Sequence, residues 1–341
     1  MQQEAFNCLK ALGFHPHFAG QEDPSYPPEI TGADMIVTLA PPLARLPARC
    51  TGVTLLYACN THVIERENRL QTASQKWQLS CESQSFRDRN EYLRAYERAD
   101  YLLIAENEQG IRSFLKHGVL PHKIKRYNNC VDVDVWVPNE QKRDKFSFVC
   151  YASALGLRKG LPPLLAAWQQ WYQEQDAELC LIGIPTPVSD QLLGGTRNGE
   201  ANPGIHVWLE KFPAQHKPII DLIGSCHVAI FPTLEDAQPS TLLEMTSCGL
   251  PVITTVESGV EFDPEFCRYI AADSVRDLCA AFEYWYRQRD RVVEIGQKAR
   301  QYIIANHSWP CFRQRFNAIL CEAAANAGIK IQPPSVLQEV S

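Results

Sequence analysis

The chain has 341 residues, 45% of them hydrophobic and 10% aromatic, and a formal net charge of −6 at neutral pH. That length exceeds what one core normally fills and points to two domains. The acidic balance excludes a general nucleic-acid-binding surface, so any basic site must be local. No apolar run is long enough to span a bilayer, and no signal-peptide pattern leads the chain. The thirteen cysteines are odd in number, scattered and without a C-x-x-C pair. Cys59, Cys150, Cys180 and Cys226 sit in apolar runs, as small buried hydrophobes do. This spacing excludes a structural zinc site, and a reducing cytoplasm is the expected environment.

From Gln2 to Leu12 the residues Ala5, Phe6, Leu9 and Leu12 recur at helical spacing, and Gly13 ends the pattern. His15 and His17 alternate on the extended stretch that follows, too small a set for a metal site. Ala33–Ala40 and Gly52–Ala58 read as buried strands. The second runs into Cys59-Asn60-Thr61-His62-Val63, and residues at the carboxyl end of a parallel strand face the crevice where α/β proteins bind ligands. Glu91–Arg98 is a charged helix leading into the strand Tyr101–Ile104. Glu108–His117 is another helix, closed by Gly118. Val133–Glu140 reads as an inter-domain linker. Asp132 and Asp134 form a D-x-D pair, but a hard cation there would need further oxygen ligands.

Phe146–Tyr151 is the next buried strand, followed by a turn from Ser153 to Leu161 that carries Arg158 and Lys159. Leu164, Leu165, Ala167 and Trp168 mark a helix, and Glu178–Gly183 a strand. Residues 184–204, rich in Gly, Pro and Asn, read as a surface loop. Ile205–Trp208 precedes a helix over Lys217–Ser225 and a four-residue strand, Val228–Phe231. A polar loop then reaches Pro239, which suits the opening of a helix. Leu242, Leu243 and Met245 supply that helix with a buried face, Gly249 ends it, and Val252–Thr255 is the next strand. Asp236 and Glu244 flank its amino end, where backbone N–H groups favour an anion, so the unit suits a phosphorylated, hydroxyl-rich ligand. Thr241 and Glu244 also fit a capping box, in which Glu244 bonds back to its own helix. Both readings stand at this stage. Val275–Trp285 and Arg289–Ala305 are amphipathic helices. No G-x-G-x-x-G follows a strand, which excludes the usual dinucleotide oxidoreductase.

The stretch from Asp236 to Glu244 resembles the E-x7-E signature of glycosyltransferase family 4. These are retaining enzymes of the GT-B fold, in which two Rossmann-like domains face each other across a cleft. Cys248-Gly249-Leu250-Pro251-Val252-Ile253 is similar to that family's continuation, Arg158-Lys159-Gly160 to its Arg-Lys-Gly turn, and Cys59 to Val63 to a Ser-x-His-Ile segment. Ala99-Asp100, the Asn-Asn-Cys-Val-Asp run ending at Asp132, and His307-Ser308-Trp309 are similar to further family segments. The resemblance implies that Lys159 and Arg158 contact the donor diphosphate. It implies that Asp236 contacts the sugar, with Ala237, Gln238, Pro239, Ser240, Thr241 and Gly259 close to the donor, and that Glu244 binds the ribose. Asn60 and His62 would lie on the acceptor side, and Asp236, Lys159 and His62 would be the catalytic set.

The chain departs from that pattern in carrying Asp at position 236 for Glu, Ala237-Gln238 for a Gly-Phe type turn, Ala154 for an Arg, and Cys130 for a Gly. It also shows no strand and Gly-rich loop ahead of its first helix, so the amino-terminal domain is expected to lack its first strand. The expected domains are residues 1–140 and 141–308, a helix over 309–330 crossing back to the first domain, and a tail. The implied function is that of a retaining, metal-independent hexosyltransferase. It would use a nucleotide sugar as co-substrate, with no other cofactor, and a glycan, lipid-linked or small-molecule acceptor. It would work in the cytoplasm, with peripheral contact at the inner face of the membrane compatible with a lipid-linked acceptor. A nucleotide-sugar epimerase of the same fold and a non-catalytic partner protein are the rival readings.

Overall fold

A computed structural model describes residues 2–16, 32–47, 50, 52–58, 60–79, 89–152, 154–173, 175–194, 198–208 and 216–332. The chain divides into two compact units. The first holds residues 1–64, 88–130 and 309–341, and the second 65–87 and 131–308. Ser153, Cys59 and His17 lie outside the described residues.

The first unit begins with α1 (Gln2–Ala11), then β1 (Met35–Thr38), α2 (Ala40–Arg45), β2 (Val53–Ala58) and the start of α3 (Val63–Trp77). After α4 (Arg89–Arg98) come β3 (Tyr101–Ala105), α5 (Glu108–Lys116) and β4 (Ile124–Tyr127). The four strands pair in the order β1-β2-β3-β4, all parallel. Among the described residues no strand precedes β1. The strand expected over residues 33–40 stops at Thr38, because Pro41 and Pro42 seed α2, where missing N–H groups cost nothing in a first helical turn. Asp100 explains the Ala-Asp junction: its Oδ2 accepts from both the amide and the hydroxyl of Thr54, at 2.8 Å each, tying β3 to β2. Helix α12 (Trp309–Asn326) packs in this unit, its Phe316 stacked 6.1 Å from Tyr57.

The second unit contains β5 (Phe146–Tyr151), α6 (Leu161–Trp171), β6 (Ala177–Ile182), α7 (Thr186–Leu192), β7 (Asn198–Asn202) and β8 (Ile205–Trp208). These are followed by α8 (Lys217–Ser225), β9 (Val228–Phe231), α9 (Ser240–Ser247), β10 (Val252–Thr255), β11 (Cys267–Ile270), α10 (Val275–Arg287) and α11 (Val292–His307). The seven strands run β11-β10-β9-β5-β6-β8-β7, and only β7 is antiparallel to its neighbour. Burial explains the order. β6, β9 and β10 are buried at every residue, as central parallel strands must be, whereas β11 and β8 present part of their surface toward the edges. Residues 184–204, expected as a loop, instead hold α7 and β7. The Gly- and Pro-rich composition marks the breaks between those short elements, and tertiary pairing with β8 supplies the strand.

The stretch after Asp132 is held rather than slack. Arg300 of α11 donates to the carbonyls of Val133 at 2.9 Å, Trp136 at 2.8 Å and Ser247 at 2.6 Å. Asp132 Oδ1 accepts from the Asp134 amide at 3.2 Å, so the D-x-D pair forms a local turn. No helix among the described residues is long and apolar enough to cross a membrane, and the eleven described cysteines are all free thiols. Burial pushes the Cys150 thiol up to about 12, which keeps it protonated and unreactive. Gly296 lets α11 lie against the end of α9, since a Cβ there would overlap the Gly249 carbonyl oxygen. Gly296→Ala is therefore expected to lower stability by about 1–3 kcal/mol, read as an earlier midpoint in urea denaturation.

Candidate active site

Strand order places the site. In the second sheet β5 lies between β6 and β9. The chain leaves β5 toward β6 on one side and leaves β9 toward β10 on the other, so the turns after these two adjacent strands part company. A crevice opens at such a reversal, at the carboxyl ends of the strands. Residues 154–160 form one wall and residues 232–239 the other.

The two walls touch through backbone. The Leu234 amide and the Thr233 hydroxyl both donate to the Arg158 carbonyl, at 2.9 and 3.1 Å. Gly160, at a φ of +75°, makes that approach possible, because a Cβ would run into the Pro232 carbonyl. The residue before it, Lys159, then turns its side chain into the crevice. Its ammonium is ion-paired with Asp236 Oδ2 and sits 4.9 Å from the Phe231 ring centroid. Arg158 Nη1 lies 3.5 Å from the same carboxylate oxygen and 3.3 Å from the Glu235 carbonyl. Lys159 is 6% exposed and Asp236 8%, so this is a buried pair. Burial pulls the lysine pKa down, and the aspartate charge pushes it back. Burial by itself would raise the Asp236 carboxyl, but Lys159 and Arg158 outweigh it and hold the group below its ordinary value. Asp236 is thus ionised at neutral pH.

A third turn supports the acidic wall. The Asp236 amide donates to the Glu257 carbonyl at 2.8 Å and the Gln238 amide to the Ser258 carbonyl at 2.9 Å, just before Gly259 at a φ of +69°. Gln238 stands in the left-handed region, at a φ of +52°, a conformation costing a side-chain-bearing residue about 1–2 kcal/mol. The sequence departure from a glycine-bearing turn therefore leaves the turn in place, at an energetic cost. Ala237 and Pro239 complete the loop, and Ser240 and Thr241 open α9.

Helix α9 bears on the capping reading of Glu244. Its first turn has no side-chain cap, and among the described residues nothing hydrogen-bonds the Glu244 carboxylate, so the capping box is not formed. Glu244 is partly exposed, yet the low-polarity surroundings of its carboxylate raise its pKa to about 7. Burial also raises the Tyr151 hydroxyl to about 12, the Glu244 charge adding to it.

Lys159, Arg158, Asp236 through Thr241, Glu244 and Gly259 all belong to the second unit. Asn60 and His62 belong to the first. Asn60 is half-buried, and His62 is 2% exposed, with ring centroids of His117, Tyr96 and Phe114 at 4.4, 5.0 and 5.5 Å. The His62 amide donates to Ser113 Oγ at 3.0 Å, and its Nδ1 accepts from the Ile64 amide at 3.4 Å, seating the start of α3. Among the described residues no three His, Cys, Asp or Glu side chains are grouped to hold a metal ion. One residue that sequence reasoning did not single out is Arg66 of α3, which faces the buried Glu235. A lone basic residue on a polar helix carries no signal of that pairing.

The family model for glycosyl transferases group 1 matches residues 132–302, half of the chain and all of the crevice just described. No curated protein matches the sequence. Among solved structures, sucrose-phosphate synthase from Thermosynechococcus elongatus superposes with a TM-score of 0.67 at 13% identity, covering 86% of this chain and 75% of that one. HepE from Anabaena, solved with UDP and glucose, gives 0.65 at 13% identity, covering 85% of this chain and 78% of its own. WaaG, a glycosyltransferase involved in lipopolysaccharide biosynthesis, gives 0.59 at 17% identity, covering 84% and 78%. At these identities the likeness shows a shared fold, that of the GT-B glycosyltransferases. With its crevice-forming half matched end to end by the family model, the chain belongs to the group 1 glycosyl transferases.

Proposed function

We propose that the protein is a retaining, metal-independent glycosyltransferase that moves a hexose from a nucleotide sugar to a saccharide, lipid-linked or small-molecule acceptor. One arrangement carries this reading: a buried lysine–carboxylate pair in the switch-point crevice, beside a helix whose N-cap residue, Pro239, supplies no side-chain cap. In that scheme Lys159, Arg158 and the first turn of α9 hold the diphosphate. Glu244, a carboxylate without a hydrogen-bond partner among the described residues, accepts hydrogen bonds from the ribose hydroxyls. Asp236 orients the sugar through its own hydroxyls. As the bond from the anomeric carbon to the phosphate oxygen breaks, negative charge grows on that oxygen, and a fixed cation in a dry crevice stabilises it. The acceptor oxygen bonds to the anomeric carbon on the face the diphosphate leaves, and its proton passes to the departing phosphate. No metal ion is needed where the cations are side chains. Asn60 and His62 are the acceptor-side residues of this scheme, the buried His62 acting by shaping the segment after β2. HepE, solved with UDP and glucose, makes UDP-glucose the first donor to try.

Calorimetry with UDP-, GDP- and ADP-sugars tests the reading directly; heat from none of them would sink it. Binding followed by transfer supports it, binding with epimerised product points to an epimerase, and binding with no chemistry to a non-catalytic partner. Lys159→Ala is expected to weaken UDP binding by roughly 10- to 100-fold, the loss of one charge-assisted contact. Unchanged affinity would remove Lys159 from the diphosphate site.

Glu244 makes the donor site pH-dependent. With a pKa near 7 it is protonated below that value and ionised above it, and the ionised form is the stronger acceptor for ribose hydroxyls. UDP-glucose, whose diphosphate is esterified at both ends, is expected to bind more tightly as pH rises from about 6 to about 8, and Glu244→Gln should lack that step. Stability runs the other way. The folded protein holds a proton that the unfolded chain releases, so stability falls as pH rises from the ordinary 4.5 through 7. Glu244→Gln is therefore expected to gain on the order of 2 kcal/mol at about pH 8 in chemical denaturation, partial exposure allowed for.

A further inference from the structure

Helix α3 offers the acidic loop a partner that the scheme above leaves unused. From Glu65 onward it belongs to the second unit, and Arg66, Leu70, Ala73 and Trp77 recur along one helical face. Ala73 packs in a small apolar cluster with Leu157 of the lysine turn and Leu234 of the acidic loop, the partly buried Trp77 against it. Two turns nearer the amino end, Arg66 Nε lies 3.5 Å from Glu235 Oε2, the side chains 5% and 0% exposed. At the far end Lys76 and the Trp77 indole both donate to the Asp273 carboxylate, at 2.6 Å each. One face of one helix therefore spans both walls of the crevice and is pinned at both ends.

Glu235 is the residue before Asp236, and its backbone is fixed as well as its carboxylate. Its carbonyl accepts from Arg158 at 3.3 Å and from the Thr233 hydroxyl at 3.1 Å, while the next amide is held by the Glu257 carbonyl. A fully buried ion pair gains little over an apolar pair of equal volume, because both charges lose their water. What it supplies is direction. The Glu235 charge has to face Arg66, and in a chain whose next amide is also fixed, that orientation turns the Asp236 side chain toward Lys159. We infer that Arg66 is a positioning residue for Asp236, acting through Glu235. The inference rests on the donor-site reading for its functional consequence, but its structural part stands apart from that reading.

Two variants and two readouts test it. A crystal structure of Arg66→Gln is expected to show Asp236 moved off Lys159; Asp236 still paired with Lys159 there overturns the inference whatever the kinetics. The paired replacement Arg66→Met/Glu235→Leu removes both buried charges at once and should keep the melting temperature and UDP affinity of the wild type. Its turnover of UDP-glucose should nevertheless fall about 10- to 100-fold, the loss expected when a reacting group shifts by about an ångström. Wild-type turnover in that folded pair also overturns it. A wild type that turns over no nucleotide sugar counts against the glycosyltransferase reading instead, and the Arg66→Gln structure still decides the part played by Arg66.

Discussion

The site depends on the contact between two turns that leave adjacent strands in opposite directions. Lys159 and Asp236 meet across it, both nearly excluded from solvent. A lone buried charge in either turn would be costly, several kcal/mol by the usual estimate for an unpaired ion. Paired, each charge makes the other tolerable, and the two turns are locked in register by hydrogen bonds from the Thr233 hydroxyl and the Leu234 amide to the Arg158 carbonyl. The glycine after the lysine is what lets backbone meet backbone there.

Several local costs cluster round this contact. Gln238 occupies a conformation that side chains avoid, Asp236 and Glu235 are buried carboxylates, and Glu244 is held where its charged form is disfavoured. Rules of local stability are commonly broken at functional sites and compensated elsewhere. Here the compensation is the core beneath: β5, β6, β9 and β10 form a continuous apolar layer, with Phe148, Trp168 and Phe282 packed edge to face over it. A rigid sheet can present strained loops without unfolding, and such loops are where binding and catalytic residues commonly sit.

Helix α3 shows how little apolar surface an element needs when its contacts are specific. After its first turn it offers Leu70, Ala73 and Trp77 on the inner face, with charged residues around them. Its placement comes from a buried arginine at one end and a lysine–tryptophan pair gripping Asp273 at the other. Polar contacts of this kind carry geometric information that apolar packing alone lacks.

Much of the second unit was legible in the residues themselves. Runs such as Phe146–Tyr151 and Val228–Phe231 are too short and too apolar to be anything but central strands. Pro239, Gly249 and Pro251 bracket α9 by fixing φ, permitting a left-handed residue and removing a donor. Asp236 and Glu244 stood out by their position relative to that helix. Other features needed the folded chain. Whether Glu244 capped its own helix turned on its surroundings, not on the Thr-x-x-Glu spacing it shares with true caps. The α7 and β7 elements hid in a Gly- and Pro-rich stretch because pairing with β8, not propensity, makes the strand. The tie between Arg66 and Glu235 joins residues far apart in sequence. Local chemistry along the chain is enough to specify turns, caps and central strands, since those depend on near neighbours. Which charges are buried together is decided only when the sheet brings distant segments side by side.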